Sequence, residues 1–172
     1  MKPGSLEARI EVQKDRRIAV INLSGPIGSP SGFDASRFIE SVTSLGQHDV
    51  LYAILDSPGG SPVDAWIIFD FLKKAPPRRY GSLVLITGEC SGDALVIALG
   101  FDQILMRQDA YMELQSAKLS GLAATRQATK LMGRLLARRS RCHLEDVLAW
   151  IDTNKRFTAE ECLARSLCDA IV

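Results

Sequence analysis

Three short runs constrain the fold more than anything else in the chain: RIAVINLSG at 17–25, VLYAILD at 50–56 and SLVLITG at 82–88. Each is almost uniformly apolar and rich in β-branched or aliphatic residues, so each reads as a strand buried on both faces. Such strands belong to parallel sheets covered by helices, because parallel neighbours need a long crossover between them. Helical spacing fills the gaps. Residues 34–45 place Phe38, Val42 and Leu45 on one face behind Asp34 or Ser36 as cap. AWIIFDFLKK at 65–74 is a second helix, ended by Pro76 and Pro77, and ALVIALG at 94–100 is a third, buried one. QILMRQDAYMELQ holds more strand, residues 121–139 and HLEDVLAWID are helical, and TAEECLARSLCDAIV closes with a helix and a short strand. The fold class is α/β on a mostly parallel sheet.

At 172 residues the chain suits one domain, with the polar stretch 1–16 expected as a flexible or peripheral arm. That stretch has no apolar core of a signal peptide, and no apolar run approaches the eighteen or so residues of a membrane span. A net charge of +1 gives no electrostatic case for nucleic acid. Cys90, Cys142, Cys162 and Cys168 show no CxxC spacing and no histidine at ligand distance, so neither metal nor other cofactor is implied. Reduced thiols and no leader make the expected location cytoplasmic.

In parallel sheets ligands gather at the carboxyl ends of the strands, and DSPGG at 56–60 and GECSG at 88–92 both follow strands. Gly59 and Gly60 allow backbone angles other residues resist, and a free N–H there can stabilise an oxyanion; a bare Gly-Gly is more often an ordinary turn. Ser91 stands between a strand and a helix, the usual place of an N-cap, and also a place where helical amides support a nucleophile. Taken alone, the cap is the commoner role.

Taken together, in this order and with Gly60 and Ser91 31 residues apart, these stretches resemble the ClpP and SppA serine peptidases of the ClpP/crotonase superfamily. IAVINLSGPI resembles the opening strand of SppA-type enzymes, LDSPGGSPVDAWIIFDFL the Ser-Pro-Gly-Gly segment with its helix, and CSGDALVIALGFDQI the nucleophile stretch. RFTAEECLARSLCDAIV resembles the C-terminal pattern of ClpP. The resemblance runs from about residue 17 to 172 and implies repeated ββα units on the sheet. It implies Ser91 as nucleophile, the amides of Gly60 and Gly92 as oxyanion hole, and Asp152 as the acid of a triad.

At the family's histidine position the pattern fails, because Gln115 stands there and an amide cannot take a proton from Ser91. His48 precedes the strand leading into DSPGG, roughly 20 Å from the other end of that strand. His143 opens the helix that ends at Asp152, about 13 Å away. Lys118, three residues beyond Gln115, is the alternative base in the manner of SppA, and Lys130 lies on the next helix; a solvated lysine is the commoner reading of either. Asp93 follows Gly92 as a first-turn acid that the helix dipole favours.

The function so implied is peptide hydrolysis by a serine nucleophile, weak or absent for lack of the histidine. The alternative is a non-catalytic peptide-binding or assembly subunit, and crotonase-type acyl chemistry fits less well. Peptide or unfolded protein is the implied substrate; an ATPase of the kind that serves ClpP is compatible with the resemblance but indicated by no residue. The interval from Gln115 to Asp152 is about a dozen residues shorter than in ClpP, at the helical handle through which ClpP rings stack. A homo-oligomer other than a double ring is therefore expected, with Trp66, Phe69, Phe71 and Trp150 as part of its apolar surface.

Overall fold

The computed structural model describes residues 5–76, 78–117 and 122–172. Its sheet has eight strands: β1 (Leu6–Gln13), β2 (Arg16–Ser24), β3 (Val50–Ser57), β4 (Ser82–Ser91), β5 (Gln103–Met106), β6 (Tyr111–Glu113), β7 (Arg156–Thr158) and β8 (Ala170–Ile171). Among the described residues six helices connect them: α1 (Ala35–Ser44), α2 (Pro62–Lys74), α3 (Asp93–Ala98), α4 (Leu122–Ser140), α5 (Leu144–Asp152) and α6 (Ala159–Ala164). The path β1-β2-β3-β4-β5-β8 is parallel from β2 onward, as the doubly apolar runs require. Ala19, Ile21, Leu51, Ala53, Val84 and Ile86 are fully buried along it.

β4 changes partner midway, and this positions the site. Its first half, Leu83–Ile86, pairs with β5; its second half, Glu89–Ser91, pairs with β6, which in turn pairs antiparallel with β7. Between the halves the register with β3 slips, Leu55 facing Ile86 but Ser57 facing Cys90. The two extra residues bend β4 out of the main sheet, as bulges do. The carboxyl ends of β3, β4 and β6 meet there.

Within the stretch 1–16, β1 is a peripheral strand of the sheet. Leu6–Gln13 is an ordered edge strand, paired residue for residue with β2 and turned by Lys14 and Asp15, both at positive φ. The aromatic residues Trp66, Phe69, Phe71 and Trp150 are only half exposed and pack on the core; α2 instead turns Val63 (59 % exposed) and Ile67 (45 %) outward. Among the described residues no helix is long and apolar enough to cross a membrane.

Candidate active site

Ser91 ends β4, and Gly92 follows at φ 53°, ψ −120°, a conformation that favours glycine. The chain then enters α3 at once. Gly92, not Ser91, is the N-cap, and it makes no side-chain cap bond. The Ser91 hydroxyl turns back along its own strand and donates to Glu89 Oε1 at 2.7 Å. The reason is the strand period of two: because β4 runs through Ser91, the side chains of residues 89 and 91 share a face. Ser91 does not cap the helix.

The DSPGG turn lies directly against this serine. A Cβ placed on Gly59 (φ 87°) would stand 2.6 Å from the Ser91 carbonyl oxygen and 3.1 Å from the Asp93 nitrogen, so glycine is required for the approach. The turn is held from behind by Ile27, whose N–H donates to the Gly59 carbonyl at 2.9 Å and whose carbonyl accepts from the Ser61 N–H at 3.0 Å. Ser61 then caps α2 through the Asp64 N–H, with Pro62 in the first turn.

Gly59, Gly60, Gly92, Asp93, Gln115 and Ser116 line a cleft of about 130 Å³. Ligand pockets commonly hold about 300–1,000 Å³, so this one accommodates a single group, such as one carbonyl and its neighbours. A larger cavity, about 450 Å³, lies around Arg17, His48 and Arg78 at the amino ends of the strands, away from the glycine turns. The Gly60 N–H has no hydrogen-bond partner among the described residues. The Gly92 N–H donates to the Glu113 carbonyl at 3.0 Å. Of the two amides expected to hold an oxyanion, one is available and the other is engaged.

Gln115 reaches the same cleft: a Cβ on Gly92 would lie 3.7 Å from its Cβ and Oε1. Its Nε2 donates to Glu113 Oε1 at 2.5 Å, not to Ser91. Glu113 Oε2 meanwhile accepts two bonds from Arg156, at 2.8 and 2.6 Å. The Gln115 amide, then the Arg156 guanidinium, hold the Glu113 carboxyl below its ordinary range. Asp152 ends α5 exposed, and no hydrogen bond or ion pair among the described residues joins it to Ser91 or Gln115. Lys118 lies outside the described residues.

Both histidines stand apart from the cleft. His48 accepts from Arg78 Nε at 2.8 Å, and its ring pKa is lowered chiefly by burial; His143 is the N-cap residue of α5. Cys90 points to the other face of β4 and is fully buried, and burial pushes its thiol pKa up, which keeps it neutral and unreactive.

Sequence reasoning missed four residues: Glu89, Tyr111, Glu113 and Arg156. Glu89 was signalled by its place two residues before Ser91 on a strand; the others needed the β4–β6–β7 register.

No family model and no curated protein matches the sequence. Solved structures do match the fold. ClpP1 from Listeria monocytogenes superposes with a TM-score of 0.77 at 15% identity, over 89% of this chain and 90% of that one. A point mutant of that protein gives 0.74 at 14%, over 89% and 90%. The ClpP protease catalytic domain from Plasmodium falciparum gives 0.75 at 16%, over 90% and 84%. The chain thus has a ClpP-like fold.

Proposed function

We propose that the chain is a ClpP-like serine peptidase homologue that acts on peptides through Ser91, slowly, because no histidine stands in its site. The observation that carries this reading is the placement of Ser91 at the carboxyl end of β4, against the turn whose Gly60 N–H has no partner among the described residues. A peptide carbonyl entering the cleft meets that amide, and the Ser91 oxygen attacks from beside it. Two local changes precede attack. The Ser91 oxygen, fully buried here, becomes reachable from the cleft with its hydroxyl still bonded to Glu89, and the Gly92 N–H leaves the Glu113 carbonyl to become the second oxyanion donor. Loss of one triad member commonly costs several orders of magnitude, and a slow enzyme is the result.

A second reading, a non-catalytic peptide-binding or assembly subunit, is favoured by the same burial of Ser91 and the same engaged amide. A serine-directed fluorophosphonate separates the two. Labelling of the wild-type protein that disappears in Ser91→Ala supports the peptidase; an unlabelled wild-type protein supports the binding subunit. For assembly, the exposed Val63 and Ile67 on α2 favour a homo-oligomer.

A further inference from the structure

We propose that Glu89 replaces the missing histidine as the group that receives the Ser91 proton. The inference rests on the peptidase reading above and names the base that reading lacks.

Three short strands bring the groups together. Parallel pairing sets Glu89 beside Tyr111 and Ser91 beside Glu113; antiparallel pairing sets Arg156 beside Glu113. Residues 89 and 91 share a face of β4, and 111 and 113 share the corresponding face of β6. One face of this small sheet therefore carries Ser91, Glu89, Tyr111, Glu113 and Arg156. Adjacent strands lie about 4.8 Å apart, so each side chain is within reach of the next.

Within that face the two carboxylates have different tasks. Glu113 already accepts from Gln115 on one oxygen and twice from Arg156 on the other, and the Ser91 hydroxyl donates elsewhere. Glu89 accepts directly from the Ser91 hydroxyl at 2.7 Å, within the range in which a general base operates. It is also held in place. Its own N–H donates to Asp56 Oδ1 at 2.9 Å, and Tyr111 is its direct neighbour across the β4–β6 pairing. The Arg156 guanidinium lies 4.1 Å over the Tyr111 ring and completes the fixed frame. Glu89 is half-buried, so it keeps contact with solvent while bonded to Ser91.

The step balances without a further reactant. The Ser91 O–H bond breaks, its proton goes to the Glu89 carboxylate, and its oxygen bonds to the substrate carbonyl carbon as the C=O π pair moves onto oxygen. Collapse of that tetrahedral species breaks the C–N bond, and the departing amine takes the proton back from Glu89. Water then attacks the acyl-serine, giving one proton to Glu89; the bond from the acyl carbon to the Ser91 oxygen breaks, and that oxygen takes the proton back from Glu89, releasing the acid and restoring the Ser91 hydroxyl.

The test compares fluorophosphonate labelling and hydrolysis of an unstructured peptide in wild type, Ser91→Ala, Glu89→Gln and Glu89→Ala. We expect Glu89→Gln to slow both by about 100-fold or more, the usual contribution of a general base, with KM little changed. Glu89→Ala leaves space for a small carboxylate, so added formate restores part of its rate; a merely structural glutamate would show no such rescue. Among the described residues, Asp56, Cys90, Tyr111, Glu113 and Arg156 are ionisable groups on the strands around Glu89. The wild-type rate should persist below about pH 6.5, where an imidazole base would be lost to protonation. A wild-type protein labelled at Ser91 whose rate is unaffected by Glu89→Gln overturns the role of Glu89 and leaves the peptidase reading intact. Absence of formate rescue in a folded Glu89→Ala protein also overturns it. A protein that is never labelled, or is labelled equally as Ser91→Ala, overturns the peptidase reading itself.

Discussion

Replacing Gly59 by alanine tests whether the glycine turn is built to touch the serine. Two costs add. The first is conformational: Gly59 sits at φ 87°, where an L side chain costs about 1–2 kcal/mol. The second is steric, because the new methyl would lie 2.6 Å from the Ser91 carbonyl oxygen and 3.1 Å from the Asp93 nitrogen. Both are backbone atoms at the start of a buried helix and cannot swing aside. Overpacking of this kind costs about 1–3 kcal/mol, for a total of about 2–5 kcal/mol. In a domain of this size each kcal/mol lowers Tm by about 2–4 °C, so the loss is on the order of 10 °C. Gly46→Ala is the control: φ is 67°, but no atom lies within 4 Å of the added Cβ, so only the conformational cost applies. Paired thermal melts, read together with fluorophosphonate labelling, report the outcome. Equal Tm losses in the two variants would refute the close approach of the turn to Ser91.

Gln115→His should accelerate labelling, and the gain should vanish on adding Glu113→Gln but survive Asp152→Asn, since Gln115 already bonds Glu113 and no hydrogen bond among the described residues joins it to Asp152; the opposite dependence, measured by labelling rate, would restore Asp152 as the orienting acid. Because the Glu113 pKa is lowered in the fold, its stabilisation is present above the unfolded carboxylate value and is lost as pH falls through the folded one. The Tm gap between wild type and Glu113→Gln should therefore close below about pH 4, and a gap that widens there would refute the assignment. Light scattering at micromolar concentration should give a mass above the 18.8 kDa of one chain and below that of a fourteen-subunit particle; either extreme contradicts the proposed assembly.

The strands that build the core were legible because they are apolar on both faces, a pattern that exposed structure does not keep. β1 escaped because Leu6, Ala8 and Ile10 alternate with charged residues on an edge, and because its two-residue turn is Lys14-Asp15. Both residues adopt positive φ, where Asn-Gly would have announced the hairpin. β7 is three residues long and shows no period at all. Within the site, Ser91, Gly60, Gly92 and Gln115 were reached through motif and spacing; Gly60, Gly92 and Gln115 line one cleft, while the Ser91 side chain is buried beside it and bonded to Glu89. Glu89 was not reached this way, since an i, i+2 contact matters only if the strand continues through the serine. The stretch GECSG reads instead as the break between strand and helix, because its two glycines disguise the last turn of β4. Tyr111 and Arg156 depend on a register across three strands that no local pattern encodes.

The central claim, that Ser91 is a nucleophile working without histidine, is tested most directly by locating the adduct. The wild-type protein is incubated with a fluorophosphonate at neutral pH, digested, and the modified peptide sequenced by mass spectrometry. Slow labelling is expected, with the phosphonyl group on the Ser91 oxygen and none in Ser91→Ala. An unmodified Ser91 after prolonged incubation, or an adduct on any other residue, would contradict it.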